Sequence, residues 1–430
     1  MNAKANNTID KVRKLQRKLY LSAKTNNKRK FHALYDKIYR ADILLKAWKQ
    51  VKANKGTGGI DEIYIEDVVK YGEAKFLKEI QQELIENSYN PKPVKRVYIP
   101  KKDGKKRPLG IPIIKDRIVQ TATKIVIEPI FEADFKECSF GFRPKRNQHQ
   151  ALEVIRNKCN NKGWWVLDAD IKGYFDNINH DKLMILVEQR ISDRRILKLI
   201  RKWLKIGVIE GNEYIQSEIG SPQGSSISPL LSNIYLNYLD FLWDKYYKHL
   251  GTLVRYADDF IIISRTKKEI YHAYTAVKKI FERLELQLHP DKTRFVNMWD
   301  GIEGFDFLGF HHRRSLVENI NGKWFSTTIQ IPTKKAMESM RNKIKEVLSN
   351  RSTLKMDMYD LVQIINRKIV GFRNYYKLKY ATRQLSKIDW YVIHRFTLWY
   401  NNKKQRRPRH RGVREVNNKL NKIGLKKLCY

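Results

Sequence analysis

The stretch VRYADDFIII (254–263) sets two adjacent carboxylates, Asp258 and Asp259, inside a run that otherwise reads as buried β-strand. Adjacent side chains of a strand point to opposite faces. Two buried carboxylates without partners are very costly. A tight turn between two strands relieves the cost by lifting both to the rim of a sheet. There a divalent metal ion holds them ionised. On this stretch alone, an ordinary polar hairpin tip is the competing reading.

A second apolar strand loaded with carboxylates weakens that competitor. VLDADIKGYFDNINH (166–180) carries Asp168, Asp170 and Asp176. Asp168 and Asp170 are two apart, so a regular strand puts them on one face. Carboxylates from two strands, with no cluster of His or Cys nearby, make a hard oxygen site that suits Mg²⁺ rather than Zn²⁺. Two Mg²⁺ ions roughly 4 Å apart are the common device for in-line phosphoryl transfer. On the carboxylates alone, a nuclease and a polymerase both remain open.

Composition points to the substrate. The 430 residues carry 86 Lys plus Arg against 45 Asp plus Glu, a formal net charge of +41. So positive a surface repels itself unless a polyanion meets it. Nucleic acid is the leading partner, because each neutralised phosphate releases counterions. A membrane stands well behind: there is no 18-residue apolar run and no single basic amphipathic helix carrying the excess. Hydrophobic residues at 42% make the chain globular rather than disordered. The scattered Cys138, Cys159 and Cys429 fit neither a disulfide framework nor a zinc knuckle, and read as free thiols of a reducing cytosol. The polar, basic N-terminus is no secretory signal. Its amphipathic pattern (Val12, Leu15, Leu19) runs on into the fold, which argues against a transit peptide.

Outward from the carboxylates, strands and helices interleave through 94–310, an α/β or α+β body. Helical spacing is expected over 8–50, including Phe31, Leu34, Tyr35 and Ile38, and in 76–88, 116–135, 180–191, 194–206, 228–247 and 268–285. KKDGKK (101–106) reads as a hairpin turn. Residues 333–400 read as all-helical. The last thirty residues are dense in Lys and Arg, with Val413, Val416, Leu420, Ile423 and Leu425 interleaved, which predicts a folded element that touches phosphate.

Two further stretches favour the polymerase. VYIPKKDGKKRPLGIP (97–112) carries Lys101, Lys105, Lys106 and Arg107 around a turn, cations suited to clamping a triphosphate. A solvated hairpin is the alternative. GSPQGSSISPLLSNIYL (220–236) puts Gln223 and Gly224 in a loop before a helix, an amide and open backbone suited to a nucleotide sugar or base edge. A helix-entry loop with capping serines is the alternative.

Eight ordered blocks now resemble the group II intron-encoded reverse transcriptase/maturases of bacteria. They are RPLGIP (107–112), SFGFRP (139–144), DADIKGYFDNINH (168–180), SPQGSSISPLLSNIYL (221–236), RYADDF (255–260), LHPDKT (288–293), FDFLGF (305–310) and GFRNYY (371–376). The resemblance implies an α+β right-hand polymerase with fingers, palm and an α-helical thumb. It implies an N-terminal helical extension at 1–50, fingers and palm at 51–312, a thumb/maturase domain at 313–400 and a basic RNA/DNA-binding tail at 401–430. Asp170, Asp258 and Asp259 would bind the metals as catalytic residues, with the backbone carbonyl of Ile171. Lys101 and Arg107 would grip the triphosphate, Gln223 and Gly224 would line the dNTP site, and Lys292 would lie near the triphosphate. Phe307, Leu308, Gly309 and Phe310 would form the primer grip. Phe175, five residues after Asp170, would clash with a ribose 2′-hydroxyl and select dNTPs; a core phenylalanine is the alternative. Asp168 and Asp176 would shape the site or cap a turn.

The implied partners are an RNA template, the RNA/DNA hybrid, a structured group II intron RNA, a DNA target and dNTPs, in a bacterial cytoplasm. Only His394 and His410 occur beyond residue 312, so no endonuclease is expected, as in the family's compact class. Such a protein would use a nicked or single-stranded target, or a replication-fork primer. Ser225 stands where many members have glycine, a variation that would alter the wall of the dNTP pocket. Two other functions stay open here: a splicing cofactor without catalysis, and an intron-independent reverse transcriptase of a phage-defence or CRISPR system.

Overall fold

The computed structural model describes residues 2–100, 106–210, 213–215, 219–220, 224–319, 321–405 and 412–429, with side chains from residue 10 onward. The strands are β1 (Val94–Pro100), β2 (Lys106–Ile111), β3 (Trp165–Ala169), β4 (Val208–Glu210), β5 (Glu213–Ile215), β6 (Thr252–Tyr256), β7 (Asp259–Ser264), β8 (Arg294–Asn297), β9 (Gly304–Phe307), β10 (Phe310–Glu318) and β11 (Trp324–Pro332). Among the described residues they form three sheets, ordered β2-β1-β4-β5, β6-β7-β3-β8 and β11-β10-β9. The chain divides into two units, Met1–Leu152 with Leu167–Arg294, and Glu153–Val166 with Phe295–Tyr430.

In the first unit the Ile114–Glu132 helix is buried nearly all round, its polar Asp116, Gln120, Thr121 and Thr123 included. Ile118, Val119, Ala122, Val126 and Ile127 are indeed closed to solvent. The Ala41–Ala53 helix packs on it through a stripe of Ile43, Leu44, Ala47, Trp48 and Val51. The N-terminal segment is less helical than its spacing predicts. Phe31 and Leu34 lie outside helices, and only Tyr35–Ile38 forms a turn of one. The cause is that Phe31 is spent on backbone bonds, its N–H donating to the Arg190 carbonyl at 2.8 Å.

The second unit differs from expectation at its start. Residues 313–332, expected in an α-helical domain, complete β10 and β11, and the helical part begins at Lys334. The register runs unbroken from Phe310↔Pro332 to Glu318↔Trp324. β-Branched and aromatic residues of WFSTTIQIP favour the pleated surface over a helix. Asn160 ties the sheet to the Gln148–Asn160 helix, which the sequence reading did not foresee, by accepting the Thr328 N–H at 2.7 Å. Beyond β11, the helices Lys334–Leu348, Met358–Tyr376, Thr382–Lys403 and Val413–Ile423 share one core that includes Met340, Ile344, Leu361, Ile365, Ile388, Phe396, Trp399, Val416 and Leu420. The described part of the basic end, 412–429, is therefore folded: Val416, Leu420 and Leu428 are closed to solvent. Cys138, Cys159 and Cys429 are all free thiols. Among the described residues, no helix is long and apolar enough to cross a membrane.

Candidate active site

β6 and β7 pair antiparallel with Tyr256 opposite Asp259, which leaves Ala257 and Asp258 as a two-residue loop. Ala257 has φ 59°, the left-handed region. Two-residue hairpins demand positive φ there and favour glycine. An L-residue in that region costs roughly 1–2 kcal/mol. The turn thus lifts Asp258 to the tip and starts β7 with Asp259, whose side chain is exposed while that of Asp258 is half-buried.

What holds this turn lies beneath it. Arg255 is fully buried in β6 and forms a two-pronged pair with Asp240 of the Ser228–Leu242 helix, Nε to Oδ1 at 2.8 Å and Nη2 to Oδ2 at 2.5 Å. Burial alone would lower the Arg255 pKa; the Asp240 carboxylate more than reverses this. The guanidinium also donates to Asn233 Oδ1 at 3.1 Å and to the Ala257 carbonyl at 2.8 Å, so it grips the turn itself. Gly141 of SFGFRP packs below: a Cβ there would stand 2.4 Å from the Ala257 nitrogen. The Asn233 amide donates to the Gly141 carbonyl at 2.9 Å. None of these supports was foreseen. The signal was present: a cation inside an apolar strand needs a carboxylate partner, and Asn233 and Asp240, seven apart, share one helix face.

β3 runs beside β7 and brings the other carboxylates. Asp170 lies just past its end. Its Oδ2 accepts Lys292 Nζ at 2.5 Å, and its carbonyl accepts the His289 N–H at 2.8 Å. Ile171 is buried and bridged to Leu288, which fixes its peptide. Asp168 is paired with Arg294 at 2.6 Å. The carboxylates feel one another. The Asp259 carboxyl is pushed up to about 7 by partial removal from water, then by the charges of Asp258, Asp170 and Asp168, with Lys292 opposing. Asp258 is raised by burial and by Asp170, while Arg107 and Arg255 pull it back. Arg107, on β2 opposite Ile99, thus lies within electrostatic reach of the turn. Among the described residues, no three His, Cys, Asp or Glu side chains converge tightly enough to hold a metal ion as they stand. Lys292 is on Asp170 instead. Crowded hard-oxygen donors whose charges raise one another's pKa fit a divalent cation.

The remaining expected residues are distributed as follows. Phe175 is half-buried in a short turn, its ring edge-on to that of Tyr174 at 5.2 Å. The Tyr174 hydroxyl donates to the Ser232 carbonyl at 2.9 Å, which anchors the turn to the Ser228–Leu242 helix. Gly224 has φ 119°, and a Cβ there would meet the Gly110 carbonyl oxygen at 2.5 Å, so Gly224 itself lies against β2. Ser225 is buried and donates to Gln120 Oε1 at 2.8 Å, which gives the serine a structural partner. Lys101 and Gln223 lie outside the described residues. Phe307 to Phe310 belong to the second unit, where Phe307 faces Phe310 across a two-residue turn, Leu308-Gly309, with φ 50° and 78°. The GFRNYY segment holds that turn. Tyr375 donates its hydroxyl to the Leu308 carbonyl at 3.0 Å, and the Phe310 ring packs on Tyr375 and Tyr376 at 5.7 and 4.9 Å.

Comparison with known proteins shows the family. Residues 99–312 match the reverse transcriptase (RNA-dependent DNA polymerase) family model, and residues 337–416 match the group II intron maturase-specific domain. The group II intron-encoded protein LtrA of Lactococcus lactis is 30% identical, over 83% of this chain and 72% of its own. The chain belongs to the group II intron-encoded reverse transcriptase/maturases. Protein YkfC of Escherichia coli is 35% identical over 69% of this chain and 87% of its own. A solved structure, a partial Cas6-RT-Cas1--Cas2 complex, aligns with 59% of this chain and 42% of its own at 24% identity and a TM-score of 0.37, too slight a likeness to argue from. As a reverse transcriptase/maturase the chain is an RNA-directed DNA polymerase of α+β fold with a helical maturase domain, acting on RNA and DNA. Enzymes of this family use divalent metal ions.

Proposed function

We propose that DNA synthesis takes place at Asp170, Asp258 and Asp259, with two Mg²⁺ ions, on an RNA template paired to a DNA primer. The observation that carries this reading is geometric: the β6–β7 turn carries Asp258 and Asp259 beside β3, just past whose end Asp170 lies. When bound, the ions supply positive charge to the attacking 3′-oxygen and to the leaving pyrophosphate. The three carboxylates would hold them, with the Ile171 carbonyl as a further oxygen donor. Arg107 of β2 and Lys101 neutralise the triphosphate. Lys292 exchanges Asp170 for the triphosphate. Gln223 and Gly224 line the dNTP site, and the Phe175 ring excludes a ribose 2′-hydroxyl. Phe307 to Phe310 act as the primer grip.

The domain scheme we propose is an extension over 1–50, fingers and palm over 51–312, a thumb/maturase domain over 313–400 and a basic tail over 401–430, with the helical part of the thumb starting at Lys334. Basic residues of the extension and thumb hold the A-form hybrid by backbone and shape. The natural RNA partner is a structured group II intron RNA, the DNA target is that of intron mobility, and the setting is a bacterial cytoplasm, in line with the bacterial relatives.

The test is single-nucleotide incorporation on an RNA template with the Asp170→Asn variant. A metal ligand should cost at least the ~10²–10³ in rate that loss of one preorganised electrostatic donor costs. Hybrid affinity should stay as in the wild type. Undiminished incorporation would remove Asp170 from the site.

A further inference from the structure

The Arg194–Lys205 helix, RRILKLIRKWLK, is built against its own electrostatics. Ile196, Leu199, Ile200, Trp203 and Leu204 seat it in the first unit. Every charged residue on it is a cation. Arg194 and Arg195 occupy its first turn, where the helix dipole disfavours positive charge. Arg194–Lys198, Lys198–Lys202 and Arg201–Lys205 are like-charge pairs at i,i+4, each destabilising. Lys202 and Lys205 suit the dipole at the other end, but the first turn and the i,i+4 pairs have no such excuse.

These cations line a cavity of about 510 Å³ where the helix faces the segment leading into β1. Arg194, Lys198, Arg201, Lys202 and Lys205 all contribute, against one carboxylate, Glu188. Glu188 is taken by Arg201 at 2.9 Å, and Lys202 is steadied by Asn90 Oδ1 at 3.0 Å. Among the described residues, Arg194, Lys198 and Lys205 have no ion-pair partner. The cavity sits before the start of β1, whereas Arg107 stands opposite Ile99; five steps from Val94 at the strand rise of ~3.3 Å put roughly 16 Å between the start of the strand and Arg107. The basic surface continues past the helix. Asp193 accepts the Leu34 and Tyr35 N–H groups at 2.9 and 2.8 Å, and the Arg195 guanidinium lies 4.6 Å over the Tyr35 ring. That clamp carries the exposed Lys28, Arg29 and Lys30 alongside.

We infer that the outer face of the Arg194–Lys205 helix and its cavity form a second nucleic-acid site, which holds the phosphodiester backbone of a duplex away from the polymerase centre. The site rests on the reading of the chain as a nucleic-acid polymerase. Like charges pinned on a rigid helix gain most from an external polyanion, which replaces repulsion by phosphate contacts and counterion release. Duplex segments of a folded RNA and duplex DNA offer the same chemistry, and both are probes.

The experiment measures binding of short blunt-ended RNA and DNA duplexes across a salt series, for wild type and for Arg194→Gln/Lys198→Gln/Lys205→Gln. Three lost phosphate contacts should flatten the slope of log K against log salt by about 3. The charge-preserving Lys198→Arg/Lys205→Arg variant should keep the wild-type slope. The triple variant should melt no lower than wild type, since it loses like-charge repulsion, and should extend a short primer on a short template at the wild-type rate. A loss on both duplexes assigns the site to the backbone of either nucleic acid; a loss on RNA alone assigns it to A-form RNA. An unchanged slope on both overturns the proposal. Failure of the wild type itself to extend the primer is a separate outcome, which speaks against the polymerase centre.

Discussion

Two tight turns in this molecule solve one problem by different means. Ala257-Asp258 and Leu308-Gly309 are both two-residue hairpin loops, and both force a non-glycine residue to positive φ, 59° at Ala257 and 50° at Leu308. Such strain persists only where surroundings over-determine it. At the first turn the surroundings are a buried ion pair, Arg255 and Asp240, with the polar Asn233 beside it. At the second they are aromatic: Phe310, Tyr375 and Tyr376. The difference suits the loads proposed for them. A turn that presents carboxylates gains from a fixed cation below it, whereas a turn that presents backbone to a primer needs rigidity without charge.

The largest break in this comparison is Asp240→Ala. It leaves Arg255 buried and unpaired and should cost ~3–5 kcal/mol in urea unfolding. Adding Arg255→Met should recover much of the loss, because the penalty is an uncompensated charge rather than a missing contact. No recovery would mean that the guanidinium's hold on the Ala257 carbonyl matters more than its pairing.

Next comes pH, which should touch only the charged turn. The Asp259 pKa is raised, to about 7, so its carboxyl is protonated below that value and the proton competes with a cation. Apparent Mg²⁺ affinity should therefore fall by about tenfold from pH 8 to pH 6, as one group titrating near 7 dictates. The same shift makes the ionised carboxylate a burden on the fold above its ordinary pKa. Asp259→Asn should thus unfold at higher denaturant than wild type at pH 8, with the gap closing toward pH 5. A Mg²⁺ affinity that stays flat between pH 8 and 6 would remove Asp259 from the donors.

The smallest effects sharpen the strain argument. Ala257→Gly and Leu308→Gly should each stabilise by about 1 kcal/mol if the left-handed residue is held under strain. Incorporation should drop for Ala257→Gly if a stiff tip matters for placing carboxylates. Destabilisation in either variant would show that the side-chain packing outweighs the backbone term.

Much of this was legible in local sequence. The interrupted apolar run located the β6–β7 tip because a strand cannot hide adjacent carboxylates, and Asp168 and Asp170 announced a second acidic strand for the same reason. What stayed hidden was pairing at a distance. Lys292 with Asp170 and Arg294 with Asp168 join residues more than a hundred positions apart, and no periodicity encodes them. The partner of Arg255 required knowing that Asp240's helix lies against β6. The β10–β11 hairpin escaped because HHRRSLVE carries too many polar residues to show a clean alternation. The resemblance supplied roles for Phe175 and Lys292 that residue chemistry alone left undecided.

The most direct test of the central claim is Mn²⁺ binding, followed by electron paramagnetic resonance, to the full chain with an RNA/DNA hybrid and a dNTP bound. Wild type should hold a pair of tightly bound ions, and Asp258→Asn/Asp259→Asn should lose them while retaining the hybrid. An equal Mn²⁺ complement in both proteins would contradict the claim that the β6–β7 turn exists to present its carboxylates to metal.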